Sequence, residues 1–504
     1  MIEFCALFSP ICVVNHQKHG IKQLLLVRIA KQILVILVLS CGSHPPPVKK
    51  NLHAGGMNTG DRTYRIILTL LLLAAIVTYI VFQLLPTVYQ QPKIQVALIP
   101  YKSILYTIYI TGGLFAIIKL VGYKPTWQAV TLPRRWYYML TGLVLVFVYL
   151  VVFFFITTNT FYAYTKGNTK GEGHLFTSDS LLGYRLLPNQ TGYAYISNGY
   201  GICDTIQVST NSLGNRIAAE TDTPNIHTNL FLGCSFTFGS ANKAEETYPH
   251  YLSVMLHSNY ENAGLSNYGL CQMLLKYQQL TGEKKFDYVF AQYSPWLIDR
   301  SIERHRSILF GYRPFPYVAK KGNQCYVHPP LFNSSMYDVP FDYYKHSPTS
   351  IPDRLSFFYQ VGIPVIAIDN IKRAYYDIAV ALQLYPAPCQ NKYEVADYIY
   401  SSLDSLCRAN NSQLVIVKFS APDTIATSIA TNRHLLLADA DKDLNAKAGE
   451  EPFSEKRYNY LYRHTLVKEN DTIVYDRHYN AHANRIIAAS VYQTLKQITG
   501  NNQR

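Results

Sequence analysis

The feature that most constrains this chain is the run WYYMLTGLVLVFVYLVVFFFI at 136–156, which carries no charged side chain. At 1.5 Å per helical residue it is long enough to cross a hydrocarbon layer roughly 30 Å thick. Composition agrees, since charged residues are 15 % of the chain and hydrophobic ones 49 %, against roughly 25 % charge in ordinary soluble domains. Residues 65–86, between Arg65 and Pro86, read as a second span. Residues 104–123 read as a weaker third, interrupted by Gly112 and Gly113 and carrying Lys119, which has to snorkel.

Basic residues set the expected orientation. Arg62 and Arg65 precede the first span, and Lys119, Lys124, Arg134 and Arg135 lie in or beside the second connection. The first connection offers only Lys93 and Lys102. Positive-inside bias with three spans delivers everything after about residue 158 to the outer side of a membrane, a periplasmic or cell-surface location, whereas without insertion of the weak span at 104–123 the large domain would face the cytoplasm. The first 56 residues fit this scheme poorly, and the expectation is that Met57 is the true start, with residues 1–56 a mis-assigned extension. The expected organisation is a membrane region of about three spans over 57–158, lead-in strands and linker over 159–220, and a catalytic domain over 221–504 with an insertion at about 302–385.

The formal charge of +14 is scattered rather than gathered into one stripe, so nucleic acid is not an expected partner. The nine cysteines form no C-x-x-C pair and no zinc-type Cys/His spacing, so no metal and no cofactor is expected. If the region past the last span is outside the cytoplasm, one or two disulfides are expected. Cys325 with Cys389 is one pairing among several that sequence does not separate.

Past residue 158 the pattern changes to short apolar runs bounded by turn residues. Residues 228–232, 288–293 and 414–419 read as buried strands, and 248–257, 272–280 and 397–409 as helices. The alternation predicts an α/β fold, a three-layer α/β/α sandwich around a mainly parallel sheet, with reactive groups at the carboxyl ends of the strands.

Two segments carry chemistry. In NLFLGCSFTFGSANKAEETYPHYL at 229–252 a strand runs into Gly233-Cys234-Ser235 and then a helix, which presents the Ser235 hydroxyl at a strand end. A helix-capping serine is the alternative reading. In VYDRHYNAHANRIIAASVYQTL at 474–495, Asp476 and His478 are two apart, and a carboxylate so placed orients an imidazole toward Ser235. His482 reads as a solvated or capping residue.

Together these segments resemble the SGNH/GDSL hydrolase family of membrane-anchored and secreted esterases and acyltransferases. Gly233-Cys234-Ser235-Phe236-Thr237-Phe238-Gly239 is similar to its nucleophile block, with Cys234 where the family has aspartate. DRHYNAHANRIIA is similar to its closing D-x-H block, and GYRLLPN at 183–189 and TNSLGNR at 210–216 resemble its lead-in strands. The resemblance spans about residues 175–500. It implies Ser235 as nucleophile, His478 as general base and then acid, and Asp476 as the orienting carboxylate.

The family's second block corresponds to Asn262–Gly269, which puts Asn267 where the oxyanion glycine stands. Its third block places Trp296 where an asparagine stands. The implied oxyanion donors are therefore Ser235, Asn267 and Trp296. The function implied is a membrane-tethered serine esterase or O-acyltransferase acting on short acyl esters of cell-envelope glycans, with membrane lipid and an acyl-donor protein as partners. The 42 tyrosines and the altered blocks keep open a catalytically silent glycan-binding module. A transporter is disfavoured because the spans hold almost no ionisable residue apart from Lys119.

Overall fold

The computed structural model describes residues 175–197, 202–218, 227–308, 311–338, 351–419, 423–448, 455–468 and 471–501, together with helical residues within 103–111 and 142–156. The span expected at 65–86 lies outside the described residues, as does most of that at 104–123. Within 142–156 the described residues are helical, and Leu143, Val146 and Phe147 are exposed. Among the described residues no helix is long and apolar enough to cross a membrane.

The centre of the fold is a sheet of eight strands in the order β14-β13-β8-β6-β7-β5-β4-β3. Five of these are parallel: β6 (Thr228–Leu232), β7 (Asn259–Asn262), β8 (Tyr288–Tyr293), β13 (Gln413–Lys418) and β14 (Leu436–Asp439). Numbered by their own sequence order they run 2-1-3-4-5, the doubly wound arrangement whose switch point falls between its first and third strands, here β6 and β8. The lead-in region adds β3 (Thr191–Ser197), β4 (Ile202–Thr210) and β5 (Arg216–Ile217) as an antiparallel extension of the same sheet.

The sequence explains the layering. Leu230, Leu232, Val289, Ala291, Leu414 and Ile416 point to one face, and Phe231, Phe290, Val415 and Val417 to the other. Both sets are buried, which is why these strands read as continuous apolar runs rather than as alternating ones. Helices α3 (Leu270–Thr281), α4 (Pro295–Ile302), α7 (Lys392–Ala409) and α8 (Ile425–Arg433) cover the first face. The second is covered by α2 (Tyr248–Leu256), α9 (Ala440–Ala448), α10 (Glu455–Tyr462) and α11 (Ala481–Asn501). One short helix, α1 (Ser235–Phe238), sits at the end of β6.

Four smaller pairings surround the sheet. The hairpin β1 (Phe176–Asp179) with β2 (Gly183–Leu186) packs on the loop after β7, where the Tyr184 hydroxyl donates to Ser266 O at 2.5 Å and the Tyr268 hydroxyl to Tyr184 O at 2.8 Å. The insertion holds β9 (His305–Ile308) with β10 (Gly311–Pro314), then β11 (Tyr317–Lys321) with β12 (Gln324–His328). It continues through α5 (Ile351–Phe357), a π-helical stretch Phe358–Ile368, and α6 (Asp369–Ala381). Finally β15 (Arg463–Lys468) pairs with β16 (Asp471–Tyr479).

Phe290 is fully buried at the sheet centre and stacks on Phe231 with ring centroids 4.8 Å apart. Phe290→Ala should cost about 3–5 kcal/mol, whereas Val254→Ala, on the exposed side of α2, should stay within about 0.5 kcal/mol. Urea unfolding of the two variants at constant m-value checks the difference.

Candidate active site

A strand end, a glycine and a single helical turn place Ser235. Cys234 is extended and immediately precedes α1, and Gly239 closes that turn in the left-handed region, which glycine enters without a Cβ penalty. At Gly233 and Gly264 a Cβ would collide with Thr237, so two segments can close around the turn only because both positions lack a side chain.

A one-turn helix leaves its last carbonyls without partners of its own, and here buried side chains supply them. Arg216 Nη1 donates to Phe238 O and Gly239 O, both at 2.8 Å, and its Nη2 donates to Asn242 O at 2.7 Å. Asn262 Nδ2 donates to Thr237 O at 2.9 Å. Behind the turn, Gln292 Oε1 accepts from Cys234 N at 3.0 Å and from the Thr237 hydroxyl at 2.8 Å, while its Nε2 lies 3.3 Å from Cys234 Sγ. Cys234 is thus a small buried member of a polar network. Gln292 was legible as an anomaly, a polar residue in the otherwise apolar run YVFAQY, because a buried amide needs partners.

The second half of the site comes from β16. The strand runs through Tyr479 with a register irregularity opposite Arg463 and His464, and Asp476 and His478 meet on it. Asp476 Oδ1 accepts from His478 Nδ1 at 2.6 Å and from His478 N at 2.8 Å. Burial pushes the Asp476 pKa upward, but the side-chain hydrogen bond and charge attraction of His478 outweigh it and hold the carboxyl below the usual range. An ionised Asp476 only accepts, so Nδ1 carries the donated proton and Nε2 is left as the basic nitrogen. His464, opposite Asp476 in register on β15, has its pKa lowered by burial and has no hydrogen-bond partner at Nε2.

The two halves meet at Phe236. Its ring lies 5.1 Å from the His478 ring, 5.2 Å from that of Tyr479 and 5.5 Å from that of Trp296. Asn242 Nδ2 donates to Tyr479 O at 2.7 Å, tying the loop after α1 directly to the strand that carries the histidine. Ser235 and His478 are not hydrogen-bonded to each other. The Ser235 hydroxyl instead contacts Cys234 Sγ at 3.9 Å, and such bonds are often open in enzymes without substrate.

Of the two further oxyanion candidates, Asn267 has φ +65°, a left-handed conformation that asparagine tolerates better than most residues. Trp296 lies in the first turn of α4, half-buried and tilted against Phe236. His482 stacks on Tyr462 with centroids 5.9 Å apart, in the first turn of α11.

Elsewhere, Cys325, Cys389 and Glu394 bring their ligating atoms within 4.8 Å of one another. Both cysteines are free thiols, and each donates to Glu394, at 3.5 and 3.8 Å. Lys320 Nζ lies 2.6 Å from the same carboxylate. Burial pushes the Cys325 thiol up to about 11. The carboxylate therefore already has a cation and two weak donors, a self-satisfied arrangement.

Two measurements follow from this geometry. Arg216→Met removes three buried hydrogen bonds, leaving Gly239 O with Asn242 N and Phe238 O with only Asn262 Nδ2 at 3.4 Å, and should destabilise the domain by roughly 3 kcal/mol, readable by chemical denaturation. The depressed Asp476 pKa contributes stability above the unfolded carboxyl value of about 3.9. That contribution is lost as pH falls through the still lower folded value. Stability titrations of wild type and Asp476→Asn should therefore differ at neutral pH and converge in acid.

No family model matches the chain, and no curated protein matches it. Solved structures do overlay on part of it. A member of the lipolytic protein G-D-S-L family from Veillonella parvula is 9 % identical and covers 53 % of this chain and 97 % of its own, with TM-score 0.26. An acetylxylan esterase from Geobacillus stearothermophilus, in the form of a catalytic mutant, is 11 % identical and covers 54 % and 95 %, with TM-score 0.28. An alpha/beta hydrolase from a Lake Arreo metagenome is 11 % identical over 55 % and 97 %, also with TM-score 0.28. The structures that this chain overlays on thus include SGNH and GDSL hydrolases, at identities and TM-scores that transfer no residue role to it.

Proposed function

We propose that this chain is a serine-dependent ester hydrolase or O-acyltransferase held at a membrane, with Ser235 as nucleophile, His478 as base and Asp476 as its orienting partner. The observation that carries the reading is the 2.6 Å bond from His478 Nδ1 to Asp476, set in ring contact with the residue that follows Ser235. His478 Nε2 would take the Ser235 proton as Oγ attacks an ester carbonyl and return it to the leaving alcohol, leaving an acyl-enzyme. The Ser235 and Asn267 N–H groups and the Trp296 indole N–H would serve the oxyanion. Water completes hydrolysis, and a sugar hydroxyl completes transfer if water is excluded.

Short acyl esters on cell-envelope glycans are the proposed substrates, with the domain on the outer side and an acyl-donor protein as partner in the transferase case. The uncharged run at 136–156 and the outward apolar side chains of its helical part support the tether.

A silent glycan-binding module remains the second reading. It is favoured by the Ser235 hydroxyl contacting Cys234 Sγ rather than His478. The two separate cleanly. The enzyme should be labelled by a fluorophosphonate probe and should cleave chromogenic acetyl esters, losing both with Ser235→Ala and losing turnover by roughly 10³-fold or more with His478→Ala. Absence of labelling in folded wild-type protein would transfer the assignment to the binding module.

A further inference from the structure

Helix α6 is built inside out. A helix on the surface of a protein in water turns charge outward and its apolar stripe inward. In α6 the reverse holds. Asp369 is buried and accepts from the Ser334 hydroxyl at 3.1 Å and from Ser335 N at 2.7 Å. Asp377, half-buried, is held by Arg304 at 3.0 Å, by His305 at 2.9 Å and by Arg373 at 2.9 Å. The opposite side presents Ile371, Tyr375, Ile378 and Leu382 at 68, 59, 60 and 65 % exposure, spaced four, three and four residues apart. Leu355 and Tyr359, before and within the π-helical stretch, are equally bare at 61 and 74 %.

We propose that this apolar face of residues 351–384 lies in the lipid–water interface of a bilayer, as an in-plane second contact of the domain with the membrane. The inference rests on the reading of 136–156 as a span, which would bring the domain to a bilayer. Among the described residues the exposed large apolar side chains fall mainly in two segments, the helical part of that run and residues 355–384. Lipid is the one partner that suits both. It asks for a continuous apolar stripe rather than a shaped pocket, and exposed tyrosines such as Tyr359 and Tyr375 suit headgroup depth because their rings are apolar and their hydroxyls polar. The half-buried ion cluster on the other side of α6 fits as well, since it draws Asp377 and Arg373 away from the face that carries Ile371, Tyr375, Ile378 and Leu382.

The test uses the full chain in nanodiscs of phosphatidylcholine and phosphatidylglycerol with or without brominated acyl chains. Ile378→Trp adds one emitter to the three native tryptophans, and Val254→Trp, exposed on α2, supplies the water-facing control. The expected result is that the emission added at Ile378→Trp is blue-shifted and lost in brominated lipid, while that added at Val254→Trp is neither. Emission from the parent chain, whose Trp136 opens the apolar run, reports the tether separately. A quenched parent with unquenched Ile378→Trp emission would overturn the interfacial contact alone. If that emission were blue-shifted as well, protein would be covering the face, either a second copy or another apolar segment of this chain. A parent unquenched by brominated lipid would remove the tether, and an equally unquenched Ile378→Trp would remove the proposal with it.

Discussion

The structure turns on one obligation: the last carbonyls of a single helical turn, buried at the end of a central strand, must be hydrogen-bonded from elsewhere. A longer helix would satisfy most of them internally, but a turn of four residues cannot. Arg216, from the antiparallel extension of the sheet, and Asn262, from the neighbouring strand, supply the donors. The loop that follows the turn is held by Arg216 as well and reaches across to β16 through Asn242. Three distant stretches of chain are thereby fixed around Ser235.

The same constraint gives the site its chemistry. Because Asn242 grips Tyr479, the preceding His478 is brought into ring contact with Phe236, and Asp476 fixes which imidazole nitrogen faces outward. Phe236 packs against the imidazole and against Tyr479, while the His478 and Asp476 side chains each stay 27 % exposed. Cys234 belongs to this arrangement as packing. Its thiol sits against Gln292, whose amide also bonds the backbone N–H of Cys234.

The insertion follows a different logic from the sheet. There charged groups turn inward, in the Asp377 cluster and in the bonds of Asp369 to Ser334 and Ser335, and apolar groups are left outside. Such a surface is costly in water, at roughly 25 cal/mol for each Å² of apolar area. It sits on a scaffold whose own core is conventionally buried.

Sequence alone determined what depends on neighbours in the chain. Apolar runs bounded by turn residues marked β6 and β8 at their observed ends, and β13 within one residue, because a strand buried on both faces has no other composition available. The glycine-flanked Ser235 and the Asp476–His478 spacing were visible for the same local reason. Tertiary structure decided what depends on partners remote in sequence. Arg216 and Asn242 look ordinary in the chain, and their roles exist only once carbonyls dozens or hundreds of residues away are buried beside them. It also decided which side of α6 faces outward, since its alternation of charged and apolar residues suits either direction until Arg304 and His305 arrive to take the charge.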